Sequence, residues 1–192
     1  MILEYDNESV NYLNYYDLEW YLFGVVGPKF HADGFLSAFD FFCIVIWKAN
    51  RAKSRIAKRL CNLGDGSIEE SVRLLTSNLA RQSTSKDRMQ YLFESWGFRL
   101  PMASAILTVL YTEEFTIYDV RVCDAIGRFH ELNNITNFEN LWQGYISFKQ
   151  CVENSAPGNL NLRDKDRYLW GKSFHDQLVS DIEACFRLEE KP

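Results

Sequence analysis

Residues 91–129 read YLFESWGFRLPMASAILTVLYTEEFTIYDVRVCDAIGRF. This segment predicts two helices joined by the short turn GFRL, followed by a link and a third helix over about 120–132. Pro101 suits the first turn of the second helix, where its missing N–H is no loss. Asp119 suits the N-cap of the third helix, because a carboxylate there accepts an unpaired backbone N–H. The segment therefore predicts a helical hairpin that leads into an aspartate at a helix start.

Helical signals continue on both sides of this segment. Ser37 followed by Asp40 is typical of a capped helix start, and no partner with strand-like alternation follows it. The segment GPKFHADG at 27–34 should break the first helix, and the last two helices should span about 138–155 and 164–189. The sequence predicts an all-α protein with no confident strand.

The composition is that of a globular protein, with 192 residues of which 47% are hydrophobic and 24% charged. No apolar run exceeds seven residues, which is too short to span a bilayer, and the N-terminal MILEYDNESV is acidic, unlike a secretory signal. We therefore expect a monomer in the bacterial cytoplasm or nucleoid, with no membrane partner. The five cysteines are odd in number and lack metal-ligand spacing, so we expect free thiols, no metal and no cofactor.

Charge is distributed unevenly along the chain. Residues 1–40 contain seven acidic residues and one lysine, whereas residues 41–64 contain six basic residues and no acidic one. The net charge of −5 argues against nucleic-acid binding, but one concentrated basic face can still bind a polyanion. A solvated helix face is the alternative interpretation of this basic run.

The hairpin itself suggests a phosphate contact. Its second helix begins with small residues, including Ala103 and Ser104, which let backbone N–H groups near the helix start approach a phosphate closely. Such a hairpin can anchor a nucleic-acid backbone without reading its sequence. A plain helical hairpin in an all-α core is the alternative interpretation.

The same segment resembles the helix-hairpin-helix DNA glycosylase superfamily, which includes the endonuclease III-like enzymes. In that family a turn of the type LPGxGxxTA opens the second hairpin helix, and a motif of the type VDTxVxR carries the catalytic aspartate. The matching residues here are Gly97, Ala103, Ala105, Ile106, Leu107 and the segment TIYDVRV at 116–122. The 18 residues from Pro101 to Asp119 agree with the family spacing, and the match covers about 35 residues.

Three departures from the family pattern qualify what the resemblance implies. Arg99 stands where the family has its second hairpin glycine, so a direct phosphate contact by Arg99 would replace part of the backbone contact. Pro101 occupies the position of the Schiff-base lysine of the strand-nicking members, which implies a monofunctional enzyme. The four-cysteine iron–sulfur loop is absent, which implies a divergent member without that cluster.

The fold implied by the resemblance is a two-lobed all-α bundle with a DNA-binding cleft between the lobes. We expect one unit over residues 1–192, with a central lobe at about 35–130 that contains the hairpin at about 86–111. The second lobe should combine residues 1–34 with 131–192, because each of these parts is too short for its own core.

The implied activity is hydrolysis of the N-glycosidic bond of a damaged or modified base in double-stranded DNA, after the nucleotide is flipped out. Base-excision repair and antiviral defence, in which modified phage bases are excised, both fit. Asp119 is the implied catalytic residue, since a carboxylate stabilises the positive charge that develops on the sugar or orients a water. A helix cap without a catalytic role is the alternative interpretation of Asp119.

Further residues are implied in DNA contact. The expected contacts to the DNA backbone are Gly97, Arg99, Ala103, Ser104, Arg51 and Arg55. The candidates for a base pocket or for filling the gap left by the flipped nucleotide are Trp47, Lys48, Asn50 and Tyr118, with Trp96 and Tyr111 as additional pocket lining. We expect the basic face at 48–59 to line the same side as the hairpin turn, and Trp142, Trp170 and Phe174 to pack in the core.

Two other functions remain open at the level of the sequence. A non-catalytic helix-hairpin-helix module would bind DNA without a pocket beside Asp119. A helical protein-interaction domain with an accidental match would show no affinity for DNA even at low salt.

Overall fold

The computed structural model of the chain describes residues 12–64 and 66–186, and every regular element in these ranges is helical. No strand occurs in the residues described, which confirms the all-α prediction for them. The chain divides into two compact units, Met1–Ser77 and Asn78–Pro192. The two lobes predicted from the sequence, a central one at 35–130 and a second one from 1–34 and 131–192, differ in their bounds from these units. The predicted lobes stay a prediction.

The first unit is built from several short helices followed by three longer ones. In chain order its elements are α1 (Leu13–Tyr16), α2 (Leu18–Tyr21), a π-helical turn (Leu22–Val26), α3 (Gly27–Asp33), α4 (Ala38–Ala49), a 3-10 turn (Asn50–Ala52), α5 (Lys53–Leu63) and the greater part of α6 (Ile68–Ala80). Its core contains the buried side chains of Leu22, Phe30, Phe41, Ile44, Leu60 and Leu75.

The helix break predicted at 27–34 is wrong, because the helical path continues to Asp33. Pro28 lies in the first turn of α3, directly after the π-helical turn, where a residue without an N–H is tolerated. The helix ends at Gly34, whose φ of 76° lies in the left-handed region that glycine adopts without strain.

A buried carboxylate connects three helices of the first unit. Asp40 accepts a hydrogen bond from the Tyr21 hydroxyl at 2.7 Å and another from the Lys29 ammonium at 2.8 Å. The Ser37 hydroxyl donates to the same carboxylate at 2.9 Å and accepts the N–H of Asp40 at 3.1 Å, which confirms Ser37 as the cap of α4. Burial of Tyr21, together with the hydrogen bond from its hydroxyl to Asp40, raises the pKa of that hydroxyl.

The second unit carries the hairpin and the helices that follow it. After the end of α6 its elements are α7 (Ser85–Gln90), a π-helical turn (Tyr91–Ser95), α8 (Leu100–Leu110), α9 (Val120–Ile126), a 3-10 turn (His130–Asn134), α10 (Phe138–Ser155) and α11 (Leu162–Glu183). Among these, α9 packs on both α10 and α11, which brings the start of α9 next to the middle of α11.

Helix α9 is shorter than the sequence predicts. It ends at Ile126 rather than near residue 132, because Gly127 takes a left-handed φ of 78°. The N–H of Gly127 donates to the carbonyl O of Cys123 at 2.7 Å and closes the helix.

The last two helices form where the sequence predicts them, although the second one ends earlier. Helix α10 has the predicted bounds, and α11 begins at Leu162, where the Asn161 side chain accepts the N–H of Asp164 at 2.8 Å. It ends at Glu183, earlier than predicted, because residues 184–186 form a turn, and residues 187–189 of the expected helix lie outside the described residues.

Two general features complete the fold. All five cysteines lie in the described part of the chain, and all are free thiols. Among the helices of the described residues, none combines the length and the apolar character that a membrane span requires.

Candidate active site and nucleic-acid interface

The hairpin turn alternates buried and exposed residues. Trp96 and Phe98 are buried, whereas Gly97 and Arg99 are exposed. Gly97 has a φ of 64°, so the turn needs a residue that tolerates the left-handed conformation. The N–H of Phe98 donates to the carbonyl O of Leu92 at 3.0 Å and closes the turn. A phosphate that approaches this end of the hairpin would therefore meet Gly97 and Arg99.

The small residues of α8 lie beneath this surface. Ala103 and Ser104 are completely buried rather than exposed to a phosphate. The N–H of Ala103 donates within the helix to the carbonyl O of Arg99 at 3.0 Å. The Ser104 hydroxyl donates to the carbonyl O of Pro101 at 3.3 Å and accepts the N–H of Tyr118 at 3.0 Å. The accessible part of the hairpin is thus its turn, and Ser104 has an internal contact that the sequence did not reveal.

Tyr118 also has an internal position. Its side chain is only 4% exposed, and its hydroxyl donates to the carbonyl O of Phe129 at 2.8 Å. Burial raises the pKa of this hydroxyl. Of the two aromatic residues expected as additional pocket lining, Trp96 is buried, and half-buried Tyr111 has the guanidinium of Arg88 4.0 Å above its ring centre.

Asp119 is the N-cap of α9, as predicted from the sequence. Its Oδ1 atom accepts the N–H of Arg121 at 3.1 Å. The residue is half-buried, and the next residue, Val120, is 61% exposed. The start of α9 therefore lies at the surface, with a carboxylate held in a defined position there.

A polar and aromatic cluster contacts the side chain of Arg121, two residues after Asp119. The guanidinium of Arg121 donates to the Gln177 side-chain oxygen at 3.1 Å. It lies 5.3 Å from the ring centre of Trp170 and 5.6 Å from that of Phe174. These two rings stack nearly parallel, with an interplanar angle of 8° and centres 5.9 Å apart. We call Arg121, Trp170, Phe174 and Gln177 the aromatic cluster.

The positions of Trp170 and Phe174 correct the sequence-based prediction that both pack in the core. They are 43% and 46% exposed, while the buried residues of α11 are Asp166, Leu169 and Ser173. The spacing of four residues between Trp170 and Phe174 places them on one helix face, which sequence alone can show. Sequence alone does not show that this face is left partly open.

A groove adjoins the aromatic cluster between α9 and α11. It has a volume of about 360 Å³ and is lined by Asp124, Ala125, Lys172, Ser173, Asp176 and Gln177. Gln177 belongs to both the groove and the aromatic cluster. Most of the lining side chains are polar, so the groove offers hydrogen-bond donors and acceptors next to an aromatic surface.

In the first unit, α5 presents the basic run to solvent. Ile56 and Leu60 are buried on one side of the helix, and this fixes the orientation of the other side. Arg51, Lys53, Arg55 and Lys58 are exposed, whereas Lys48 and Arg59 are half-buried. The two arginines expected to contact DNA, Arg51 and Arg55, are therefore accessible.

The junction between α4 and α5 contains the remaining candidates. Trp47 is half-buried and meets the ring of Phe23 edge-to-face, with centres 5.7 Å apart. Lys48 is half-buried, and Asn50 is exposed in the 3-10 turn, where its side-chain oxygen accepts a hydrogen bond from Lys53 at 3.0 Å. Of the three, Asn50 is the most accessible to a ligand.

Comparison of the chain with protein-family models, with curated proteins and with solved structures found no match.

Proposed function

We propose that this chain is a monofunctional DNA glycosylase that hydrolyses the N-glycosidic bond of a flipped damaged or modified base. The observation that carries the proposal is the position of Asp119. The residue is half-buried, its carboxylate accepts the N–H of Arg121, and the guanidinium of that arginine lies over the partly exposed stacked rings of α11. A glycosylase needs a carboxylate of this kind next to a surface that accepts an unstacked base.

The proposed chemistry assigns one task to Asp119. As the bond between base and sugar breaks, positive charge develops on the sugar, and a nearby carboxylate stabilises that charge. The same carboxylate can orient the water whose oxygen forms the new bond to the anomeric carbon. The base leaves with the bonding electron pair and takes up a proton, the water loses a proton, and the DNA keeps an abasic sugar with a hydroxyl on its anomeric carbon.

The proposed base site is the aromatic cluster with its adjoining groove. Trp170 and Phe174 offer flat apolar surface on which an extrahelical base can stack, and Arg121 lies over both rings. Gln177, at the edge of the groove, presents an amide that can pair with the polar edge of a base. Polar groove residues would favour a modified base that carries additional hydrogen-bonding groups.

The proposed DNA-backbone contacts come from the turn of the hairpin and from the basic run. Gly97 and Arg99 are exposed at the turn, and Arg51 and Arg55 are exposed on and next to α5. In the proposed complex both surfaces bind one duplex in a cleft of a two-lobed protein. These contacts to phosphates supply affinity for any sequence, and the base site supplies selectivity.

The proposal is tested with a panel of duplex DNAs, each containing one damaged or hypermodified base. After incubation with the protein, hot alkali cleaves any abasic site that has formed. We expect strand cleavage of at least one DNA after alkali, and none before it, because Pro101 cannot supply the amine of a lyase. Binding without base release would instead indicate a DNA-binding module, and no binding at low salt would exclude a DNA function.

A further inference from the structure

The residues that precede Asp119 belong to no helix, and side chains hold their backbone in place. The Tyr145 hydroxyl accepts the N–H of Thr116 at 3.0 Å and donates to the carbonyl O of the same residue at 2.8 Å. The Ser104 hydroxyl accepts the N–H of Tyr118 at 3.0 Å. Helices α10 and α8 therefore hold the two ends of the segment 116–118, directly before Asp119.

The middle of the segment has a third contact. The Asp166 carboxylate of α11 accepts the N–H of Ile117 at 3.4 Å, and Arg163 donates to the same oxygen at 2.7 Å. Three consecutive backbone N–H groups thus find side-chain acceptors on three different helices. An irregular buried segment held in this way has a defined backbone position without belonging to any secondary structure.

We infer that Ser104 is a positioning residue that fixes Asp119 relative to the hairpin turn. This inference rests on the proposed function, because it concerns the distance between a DNA-binding turn and a reacting carboxylate. One side chain joins the two: the Ser104 hydroxyl contacts Pro101 in the first turn of α8 and Tyr118 immediately before Asp119. A duplex bound at the turn would thereby place its sugar at a fixed distance from the carboxylate.

The burial of Ser104 makes this contact hard to replace. The residue is completely buried, so removal of the hydroxyl would take away an acceptor of the Tyr118 N–H in the interior of the protein. The segment would then shift to find another partner, and Asp119 would move with it. A displacement of about 1 Å at a reacting group lowers a rate by on the order of a hundredfold.

The test compares Ser104→Ala with Thr108→Ala, a matched control on the same helix. Thr108 is also completely buried, but its hydroxyl donates to the carbonyl O of Ser104, inside α8. We expect S104A to lower the single-turnover rate of base release by about a hundredfold with little change in the Kd for DNA. The control T108A should keep both the rate and the Kd.

A second readout does not depend on activity. The N–H of Arg121 donates to Asp119, so its hydrogen exchange, measured by NMR, reports whether the carboxylate keeps its position. We expect faster exchange at Arg121 and Tyr118 in S104A and unchanged exchange in T108A. If the wild-type protein releases no base from any DNA, the proposed function fails, and the exchange measurement alone decides the positioning role.

Two results would overturn the inference. One is an S104A protein that keeps the wild-type rate of base release and the wild-type hydrogen exchange at Arg121. The other is a rate of base release that falls equally in S104A and T108A. If S104A does not fold, Tyr145→Phe frees the other end of the segment at Thr116, and the same two measurements apply.

Discussion

The backbone N–H of Arg121 donates to the carboxylate of Asp119 at 3.1 Å. The guanidinium of the same arginine donates to Gln177 and lies over Trp170 and Phe174. One residue therefore links the carboxylate at the start of α9 to the exposed rings of α11. This link is the reason to treat the two features as parts of one site.

The aromatic cluster should bind an extrahelical base by stacking. We expect Trp170→Ala to weaken binding to duplex DNA that contains one unpaired 2-aminopurine by about 1–3 kcal/mol, while binding to fully paired DNA changes little. The quenching of 2-aminopurine fluorescence on binding should be lost as well. Tyr168→Ala is the control, because Tyr168 lies on the same helix and is 45% exposed, close to the 43% of Trp170.

If Trp170→Ala and Tyr168→Ala weaken binding to the 2-aminopurine DNA equally, α11 contacts DNA without a specific stacking site at Trp170. Unchanged quenching in Trp170→Ala would show that the base binds elsewhere.

The basic run should contact phosphates without reading sequence. We expect Arg51→Glu combined with Arg55→Glu to weaken binding to all duplexes by similar factors and to make it less sensitive to salt, because each lost phosphate contact releases fewer counterions. Fluorescence anisotropy titrations at several salt concentrations measure both effects. Arg81→Glu, which reverses an exposed arginine outside the basic run, should leave the salt dependence unchanged. If it has the same effect as the double variant, binding depends on net charge alone.

The buried carboxylate of the first unit should be important for stability. Asp40→Ala removes the acceptor of the Tyr21, Lys29 and Ser37 side chains, and we expect it to lower the free energy of unfolding by about 3 kcal/mol. Asp17→Ala, which removes the cap of α2, should cost only about 1 kcal/mol. Urea denaturation followed by circular dichroism measures both. If Asp40→Ala and Asp17→Ala lower the free energy of unfolding equally, the Asp40 contacts stabilise the protein no more than a single helix cap does.

Stability should fall at alkaline pH. Burial raises the pKa of Cys43 and of Cys123 to about 11, from an ordinary value of 9.0. Below pH 9 both thiols are protonated in the folded and unfolded chain, and the full stability is present. Between pH 9 and 11 only the unfolded chain loses these protons, so the free energy of unfolding decreases as pH rises. Burial also raises the pKa of Tyr145, which extends the decrease above pH 10.

Urea denaturation at a series of pH values from 8 to 11 checks this slope. The double variant Cys43→Ala, Cys123→Ala should be less stable overall but should show a flatter decrease between pH 9 and 11. If the free energy of unfolding of the variant falls with pH as steeply as that of the wild type, groups other than these two thiols cause the decrease.

The local signals of the sequence predicted much of this structure. Caps at Ser37 and Asp119 and the bounds of α10 depend on short-range hydrogen bonds and apolar spacing, and they are confirmed. The helical path through Pro28 was missed, because a π-helical turn before a proline has no clear sequence signal.

Tertiary placement accounts for the other differences. Small residues at 103 and 104 fit both a phosphate contact and a packed helix, and only the fold shows that both are buried and that Ser104 contacts Tyr118. Trp170 was expected in the core because tryptophan is mostly buried, yet the ring lies partly open beside Arg121. Sequence spacing pointed to Asp119, but it placed Trp170 and Phe174 in the core and did not single out Gln177.

The most direct test of the proposed activity is the single-turnover rate of base release by Asp119→Asn on a DNA that the wild-type protein cleaves. Asparagine keeps the cap of α9 and nearly the same shape, so the circular dichroism spectrum and the Kd for DNA should be preserved. Asp17→Asn, which changes a capping aspartate in the first unit in the same way, is the matched control and should keep the wild-type rate. We predict that Asp119→Asn loses at least about a hundredfold in rate, because the charge that stabilises the transition state is gone. Base release by Asp119→Asn at the wild-type rate would contradict the assignment of Asp119 as the catalytic carboxylate.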